Sequence, residues 1–243
     1  MKTVAIILAA GKGVRMRSDL PKVSHSVLGK PMIVRVLETV EALKLDETFV
    51  VVGYKSEIVK AQCEGFNVTF VEQKEQLGTG HAAKQAEPYI KDSVVMILNG
   101  DMPLITTDTL REFIEAHKNK MGASATILTT ILSDPGSYGR IIRDSDGRVV
   151  KIVERKDATD KEVAVKEINT GTYCFNSRDL FGALNEVRTD NAQKEFYLTD
   201  VIGIFAKRDL PVYAYEAKDP NEVLGVNTIE ERDRLEGLFK NAS

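Results

Sequence analysis

Cysteine, tryptophan and long apolar runs are scarce or absent in this 243-residue sequence, which has two cysteines and no tryptophan. Cys63 and Cys174 are far apart, and neither lies in a metal-ligand motif. A disulfide framework or a zinc site is therefore disfavoured, and both thiols are expected to be buried. No apolar run approaches the roughly 20 residues of a membrane span, and the run 4–10 is too short for a signal peptide. We expect a cytoplasmic protein with no membrane association.

A large net charge of either sign is also missing. The sequence has 33 lysine and arginine residues against 36 aspartate and glutamate residues, a formal net charge of −3. No general positive field is available to attract nucleic acid, so any anion-binding site must be local. With 43% hydrophobic and 28% charged residues, the composition excludes disordered and fibrous proteins. The length favours one large α/β domain, or one domain with a subdomain, over two independent cores.

Short runs rich in β-branched residues alternate with segments of helical period. This alternation predicts an α/β fold in which helices cover both faces of a mostly parallel sheet. Strands are predicted at residues 3–8, 48–52, 68–71, 94–98, 125–131 and 212–217. Helices are predicted where apolar residues repeat on one face, at residues 32–43, 110–117, 180–184 and 198–205.

Residues 135–175 have a different, β-rich pattern. Two strand-like segments, 140–143 and 148–154, flank the turn 144–147, and a further strand is predicted at 168–175. We expect a small β-rich insertion here that lies over the main sheet.

The C-terminal segment 228–243 is predicted to form a helix. It begins with a capping box, in which the Thr228 hydroxyl accepts a backbone N–H and the Glu231 carboxylate reaches back to the start of the helix. The preceding residues, 1–227, contain no low-complexity linker and no internal repeat, so we expect them to form one domain.

Positive charge is concentrated near the N-terminus, where residues 1–30 contain six lysine and arginine residues and one aspartate. Gly11 and Gly13 lie in a turn that leaves the C-terminal end of the first predicted strand. Open α/β sheets bind their ligands at that end of their strands. The two glycines let backbone N–H groups approach phosphate oxygens, and Arg15 and Lys22 can supply positive charge. The pattern predicts a phosphate-binding loop.

Two common nucleotide-binding templates do not match this loop. The dinucleotide fingerprint G-x-G-x-x-G requires glycine where the sequence has Met16, and a Walker A loop requires G-x-x-x-x-G-K-S/T. The second predicted strand is not followed by a clear ribose-binding acid. These mismatches disfavour a dinucleotide-dependent oxidoreductase. A non-catalytic nucleotide-sensing module stays an alternative, although no residue of the loop looks disabled.

Asp101 and Asn227 are polar residues beside predicted element ends. Asp101 follows the predicted strand 94–98, so its carboxylate is expected at the same sheet edge as Gly11. Asn227 directly precedes the capped helix. Taken alone, Asp101 could simply form a turn and Asn227 could simply flank a helix.

Seven motifs, in order along the chain, resemble those of sugar-phosphate nucleotidylyltransferases. They look most like the uridylyltransferase domain of the bifunctional N-acetylglucosamine-1-phosphate uridylyltransferase/glucosamine-1-phosphate acetyltransferase family. The motifs are LAAGKGVRM (8–16) with LPK (20–22), QLGTGHA (76–82), GDMPL (100–104), YGRI (138–141), VERKDA (153–158), EINTG (167–171) and GVN (225–227). The resemblance implies a Rossmann-like nucleotidyltransferase fold, with a mostly parallel mixed sheet, helices on both faces and a β-rich sugar-binding insertion.

The resemblance implies a Mg²⁺-dependent transfer of UMP from UTP to N-acetyl-α-D-glucosamine 1-phosphate, which yields UDP-N-acetylglucosamine and pyrophosphate. The attacking phosphate oxygen is already an anion, so the reaction needs positioning and charge stabilisation rather than a side-chain base. A related enzyme that uses glucose 1-phosphate or another base is the alternative. It stays open because Asn99 stands where some close relatives have an aromatic residue beside the sugar.

The resemblance also implies roles for individual residues. Arg15 and Lys22 are the expected catalytic residues, and Asp101 and Asn227 are the expected Mg²⁺ ligands. The expected nucleotide-binding residues are Leu8, Ala9, Ala10, Gly11, Lys12, Gly13, Gln73, Gln76, Gly78, Thr79, Asn99 and Gly100. The expected sugar-binding residues are Gly139, Glu154, Asn169, Tyr197 and Asn227.

The bifunctional members of the resembled family continue into a left-handed β-helix that transfers acetyl groups and builds trimers. This sequence stops one helix after Asn227. We therefore expect no acetyl transfer and a monomer or weak oligomer, with residues 228–243 as the start of a linker. The expected partners are the two small-molecule substrates alone.

Overall fold

The computed structural model describes residues 1–240, which contain eleven strands and eight α-helices. The strands are β1 (Lys2–Ala9), β2 (Ser26–Val27), β3 (Lys30–Pro31), β4 (Glu47–Val52), β5 (Thr69–Glu72), β6 (Ser93–Asn99), β7 (Ala125–Ile131), β8 (Arg140–Arg143), β9 (Val149–Val153), β10 (Glu167–Asn176) and β11 (Val212–Glu216). The helices are α1 (Met32–Glu41), α2 (Ser56–Gln62), α3 (Thr79–Lys84), α4 (Thr107–Lys118), α5 (Asp160–Val163), α6 (Ser177–Leu184), α7 (Asp200–Lys207) and α8 (Ile229–Lys240). Residues 241–243 of the predicted C-terminal helix lie outside the described residues.

The main sheet is mixed and mostly parallel, with its strands in the order β11-β7-β10-β6-β1-β4-β5. β1 is parallel to β4 and β6, β5 is parallel to β4, and β11 is parallel to β7. β10 is antiparallel to both of its neighbours, β6 and β7. This topology confirms the predicted mostly parallel α/β sheet.

Helices cover both faces of the sheet because the central strands are apolar on both sides. On β1, Val4 and Ile6 face the cluster formed with α3, α6 and α7, whereas Ala5 and Ile7 face the cluster formed with α1, α2 and α4. Alternate side chains of a strand point to opposite faces, so a continuous apolar run marks a strand that is buried on both sides.

β10 lies in the main sheet, between β6 and β7, and not over it as the sequence predicted. Its residues 172–175 are all buried, because both faces of this strand are covered. An irregularity between Asn169 and Thr172 separates this half from the first half, where Ile168 pairs with Arg140 of β8. The hairpin of β8 and β9 therefore branches off the sheet.

The predicted main-sheet strands are confirmed to within one residue at each end. Three helices, α2, α3 and α5, were not predicted. α2 buries Val59 as its single buried residue, and α3 buries Gly80, Ala82 and Ala83, so neither helix has the apolar stripe that periodicity detects. The predicted helix over 32–43 ends at Glu41.

Cys63 and Cys174 are both free and buried, as predicted. Burial raises the pKa of the Cys63 thiol to about 11, so this side chain behaves as a neutral core residue. Among residues 1–240, no helix combines the length and apolar character that crossing a bilayer requires.

Candidate active site

The loop after β1 and the residues after β6 meet at one edge of the sheet. Leu8 lies opposite Asn99 in the parallel pair, and the Gly100 N–H donates to the Leu8 carbonyl at 2.9 Å. The Tyr54 N–H, which follows β4, donates to the Ala10 carbonyl at 3.2 Å. The carboxyl ends of three adjacent parallel strands are therefore joined here, in the position where open α/β sheets bind ligands.

A cleft of about 300 Å³ opens beside this edge. Ten of the predicted site residues line it: Leu8, Arg15, Thr79, Asn99, Asp101, Gly139, Glu154, Asn169, Tyr197 and Asn227. Gln73 is buried away from the lining, and the Lys12 ammonium lies over the Tyr54 ring, 5.3 Å from its centroid.

The glycine loop packs directly against Lys22. Gly13 has a φ of +68°, and a Cβ atom there would lie 2.7 Å from Lys22 Cβ, so this position requires glycine. The Lys22 N–H donates to the Gly11 carbonyl at 3.4 Å. Met16, which breaks the dinucleotide fingerprint, is fully buried and anchors the far side of the loop. The backbone of this loop therefore determines where the Lys22 side chain begins.

Four charged or polar side chains converge on one point, although 205 positions separate Lys22 from Asn227. The Lys22 Nζ donates directly to Asp101 Oδ2 and, at 2.6 Å, to Asn227 Oδ1. The Arg15 Nη2 donates to the same Asn227 Oδ1 at 3.0 Å. The structure thus brings the residues with predicted catalytic roles and those with predicted metal-binding roles into contact.

Asp101 and Asn227 fit a hard divalent cation. Asp101 is 7% exposed, and its buried Oδ1 has no hydrogen-bond partner among residues 1–240. Leaving such an oxygen unsatisfied is costly, and a cation would satisfy it. Mg²⁺ accepts carboxylate and amide oxygens and often takes only one or two ligands from a protein. In the described part of the chain no group of three or more His, Cys, Asp and Glu side chains could hold a metal, so phosphate and water would complete the ligand set.

Gln73 and Gly78, two of the predicted nucleotide-binding residues, are bound to each other across a turn. The Gln73 Nε2 donates to the Gly78 carbonyl at 3.1 Å and lies 3.0 Å from His81 Nδ1. Gly78 has a φ of +113°, and a Cβ atom there would lie 2.6 Å from the Phe196 carbonyl oxygen, so no other residue fits. Because the Gln73 amide nitrogen is engaged by the protein, its carbonyl oxygen is the atom that can accept a bond from a ligand.

Asn99, Asn169 and Gly171 are packed together in the lining of the cleft. The Asn169 Oδ1 accepts from the Gly171 N–H at 3.1 Å, and its Nδ2 donates to the Tyr173 hydroxyl at 2.7 Å. Gly171 has a φ of +83°, a conformation that favours glycine, and a Cβ atom there would collide with the Asn99 amide unless that side chain moved. Gly171 and Tyr173 were not predicted as site residues, although Gly171 closes the EINTG motif.

Carboxylates gather around the predicted sugar-binding residue Glu154. The Thr199 hydroxyl donates to Glu154 Oε1 at 3.2 Å. Burial raises the pKa of the Glu154 carboxyl, and the negative charges of Asp157 and Asp200 raise it further. Burial, with the charge of Asp157, raises the pKa of Asp200 to about 6. This side of the cleft therefore favours ligands that donate hydrogen bonds.

We expect Asp200→Asn to stabilise the protein at neutral pH by about 1 kcal/mol. Folding raises the pKa of Asp200 from 3.8 to about 6, so the folded chain holds this proton more tightly and stability is lost as the pH rises through this range. The gain is reduced because Asp200 begins α7, where a negative charge is favoured. Urea unfolding at neutral pH and below pH 3.8 measures the difference, which should vanish at the lower pH.

Asp179→Asn is the matched control for this experiment, because Asp179 lies in the first turn of α6. This variant should lose the small stabilisation that a negative charge gives at a helix N-terminus, and it should not become more stable at neutral pH. A stabilisation by Asp200→Asn that persists unchanged at low pH would show that its carboxylate charge is not the cause.

Two contacts at the far side of the site involve residues without a predicted binding role. The Tyr138 hydroxyl accepts from the Gly225 N–H at 3.0 Å and donates to the Gly225 carbonyl at 3.3 Å, and burial raises the pKa of Tyr138.

The predicted capping box differs from expectation in one half. Thr228 Oγ1 accepts from the Glu231 N–H at 3.1 Å, but the Glu231 carboxylate accepts from the Asn227 N–H, at 2.6 Å, and not from the capping residue.

A mostly parallel sheet with a glycine loop at its carboxyl edge, facing a lysine–aspartate–asparagine cluster, defines a nucleotidyltransferase domain. The match of a protein-family model supports this class. The chain belongs to the MobA-like NTP transferase domain family, whose model matches residues 5–200.

Two curated relatives carry the name bifunctional protein GlmU. The protein from Brevibacillus brevis is 45% identical over 241 residues, which are 98% of this chain and 52% of that protein. The protein from Streptococcus suis is 52% identical over 225 residues, which are 92% of this chain and 48% of that protein. These relatives confirm the resemblance that the motifs predicted. The chain spans about half the length of the relatives that it matches.

Solved structures confirm the nucleotidyltransferase fold. A UDP-glucose pyrophosphorylase complexed with UDP-glucose superposes with a TM-score of 0.79 at 17% identity, over 100% of both chains. HddC from Yersinia pseudotuberculosis superposes with a TM-score of 0.72 at 24% identity, over 98% of this chain and 100% of that one.

Proposed function

We propose that this chain transfers UMP from UTP to N-acetyl-α-D-glucosamine 1-phosphate, with release of pyrophosphate. The observation that carries the proposal is the meeting of Lys22, Arg15, Asp101 and Asn227 beside the glycine loop. The relatives named bifunctional protein GlmU, at 45–52% identity, support this substrate pair. We assign the activity to residues 1–227, with α8 packed onto this domain.

Negative charge is the main barrier that this site has to lower. UTP and a sugar phosphate together carry roughly six negative charges at neutral pH. Lys22 and Arg15 would place two positive charges beside the reacting phosphate, and the effect of Lys22 is the larger because its side chain is partly buried whereas Arg15 is exposed. Mg²⁺, held by Asp101 and Asn227, would supply two further charges at the same point. The Lys22 ammonium contacts Asp101 Oδ2 and Asn227 Oδ1, whereas Asp101 Oδ1 has no hydrogen-bond partner among the described residues and would be available to the ion.

The remaining residues orient the two substrates. The backbone of the glycine loop would bind phosphate oxygens, and the Gln73 carbonyl oxygen would accept the N–H of uracil. Glu154 would accept hydrogen bonds from the sugar hydroxyls or the N-acetyl N–H. The attacking oxygen is an anion, so no side chain needs to remove a proton, and positioning with charge stabilisation suffices.

A substrate panel tests the proposal. Initial rates of pyrophosphate release would be measured for UTP, dTTP and CTP with N-acetylglucosamine 1-phosphate and with glucose 1-phosphate, each with and without Mg²⁺. We expect UTP to exceed CTP in kcat/KM by about 10²-fold or more, because a site built around specific hydrogen bonds rejects a base that leaves them unmade. N-acetylglucosamine 1-phosphate should be the preferred sugar, and turnover should require the divalent ion.

A preference for dTTP or for glucose 1-phosphate would overturn the substrate assignment while leaving the enzyme class intact. Asn99 gives the second of these outcomes a structural basis, because it packs on Gly171 beside the predicted sugar contacts. Tight nucleotide binding without turnover of any pair would instead indicate a nucleotide-sensing module.

A further inference from the structure

The carboxylate of Glu231 is bound to the backbone of Asn227. Its Oε2 accepts from the Asn227 N–H at 2.6 Å, while the Glu231 N–H donates to Thr228 Oγ1 at 3.1 Å. The carboxylate therefore reaches past the capping residue of α8 to the residue whose Oδ1 contacts Lys22 and Arg15. Hydrogen bonds to an ionised acceptor are among the stronger ones in proteins.

The short segment 225–227 has no regular secondary structure of its own and is held by its neighbours. The Val226 N–H donates to the Asp101 carbonyl at 2.9 Å, and Gly225 is bound by the Tyr138 hydroxyl. Glu231 adds a charged contact at Asn227 itself. The orientation of the Asn227 side chain therefore depends on where α8 presents its first turn.

α8 is firmly placed by contacts further along the helix. Leu235 is buried in a small apolar cluster with Val27, Met32 and Val226. The Glu236 Oε1 accepts from the Leu28 N–H at 2.8 Å. α8 therefore contacts Leu28, shortly after Lys22 in the chain, and Val226, directly before Asn227.

We propose that Glu231 is a positioning residue for the divalent-cation site, which it serves by holding the Asn227 backbone so that Oδ1 faces Asp101. This inference rests on the proposed function, since it requires that Asn227 binds the metal. Residues that orient a metal ligand typically change metal affinity 10–100-fold when they are removed. α8 then supports the cation site through Glu231.

Calorimetric titration of Mg²⁺ into the protein saturated with UDP-N-acetylglucosamine tests this proposal without measuring activity. We expect Glu231→Ala to weaken Mg²⁺ binding about tenfold or more. Glu231→Gln, whose amide oxygen can still accept from the Asn227 N–H, should recover most of this loss. The affinity for UMP, which lacks the sugar that Asn227 is also expected to bind, should stay unchanged in both variants when no metal is present.

Two variants on the same helix serve as controls. Glu230→Gln removes a charge from the same turn at an exposed residue, and Glu236→Ala removes the docking contact to Leu28. Both should keep Mg²⁺ affinity within about twofold of wild type, below the change that loss of a ligand-orienting residue produces. Equal losses in Glu231→Ala and Glu236→Ala would overturn the inference, because helix docking would then explain both.

Wild-type Mg²⁺ affinity in Glu231→Ala would also overturn the inference, as would a parallel loss of UMP binding without metal. If the wild-type protein binds UDP-N-acetylglucosamine but takes up no Mg²⁺, the metal role of Asn227 in the proposed function fails and the inference fails with it. Failure of the inference alone is distinguished by normal Mg²⁺ uptake in the wild type.

Discussion

Asp101→Ala is expected to lower kcat on the order of 10³-fold at any Mg²⁺ concentration. Asp101 supplies the carboxylate of the candidate cation site, and its Oδ1 is buried without a hydrogen-bond partner among the described residues. No neighbouring carboxylate of this cluster can replace it, because Asn227 contributes a neutral amide oxygen. Steady-state rates across a Mg²⁺ series would measure the effect. Near-normal turnover at saturating Mg²⁺ would contradict the metal-binding role.

The fold should survive this substitution. The Asp101 carbonyl, which accepts from the Val226 N–H, is unaffected by removal of the side chain. Lys22 loses its ion-pair partner, but its side chain is 19% exposed and can be solvated, so the free energy of unfolding should fall by only about 1–2 kcal/mol. Asp92→Ala is the matched control, since Asp92 precedes the same strand and pairs with the exposed Arg178. It should leave kcat unchanged.

Lys22→Ala is expected to reduce kcat about 10²–10³-fold with little change in the affinity for UMP. In the proposed function the Lys22 ammonium would lie beside the reacting phosphate, where charge develops, and it does not contact the Gln73–Gly78 turn that would bind the base. Single-turnover rates and UMP titration separate the two effects. A large loss of UMP affinity with an unchanged rate constant would contradict the assignment of Lys22 to the chemical step.

Lys22→Arg should not restore the rate. A guanidinium is a planar fork, whereas the space between Asp101 Oδ2 and Asn227 Oδ1 holds a compact ammonium that the tight contact with Gly13 directs. Lys30→Ala is the control, because Lys30 is an exposed lysine that pairs with Glu38. Its kcat should match that of the wild type.

Much of the fold could be predicted from the sequence, because the relevant signals are local. β6 is an unbroken apolar run, which is typical of a strand that is covered on both faces, and the structure places it at the centre of the sheet. Helix α3 could not be predicted in this way, since small buried residues leave no apolar stripe. The predicted position of β10 was also wrong, because the pairing of a strand depends on residues far away along the chain.

Some features of the candidate site could likewise be predicted from local sequence signals, and others could not. The position of Asp101 at the carboxyl edge followed from the strand before it, and the structure places it there beside Gly100. The role of Asn227 came from the motif resemblance alone. Periodicity could not reveal that the Asn169 amide is bonded through its oxygen to Gly171 and through its nitrogen to Tyr173. Those bonds depend on the irregularity in β10 between Asn169 and Thr172.

By itself, the sequence determined the main-sheet strands and the amphipathic helices, where the glycine loop leaves β1 and which side chains can bind phosphate. These are properties of consecutive residues. Only the tertiary structure decided that Lys22 would lie between Asp101 and Asn227, and that Glu231 would hold the Asn227 backbone. Such contacts join separate elements, and their geometry is determined by how the sheet, the loop and α8 pack together and not by the identity of any one residue.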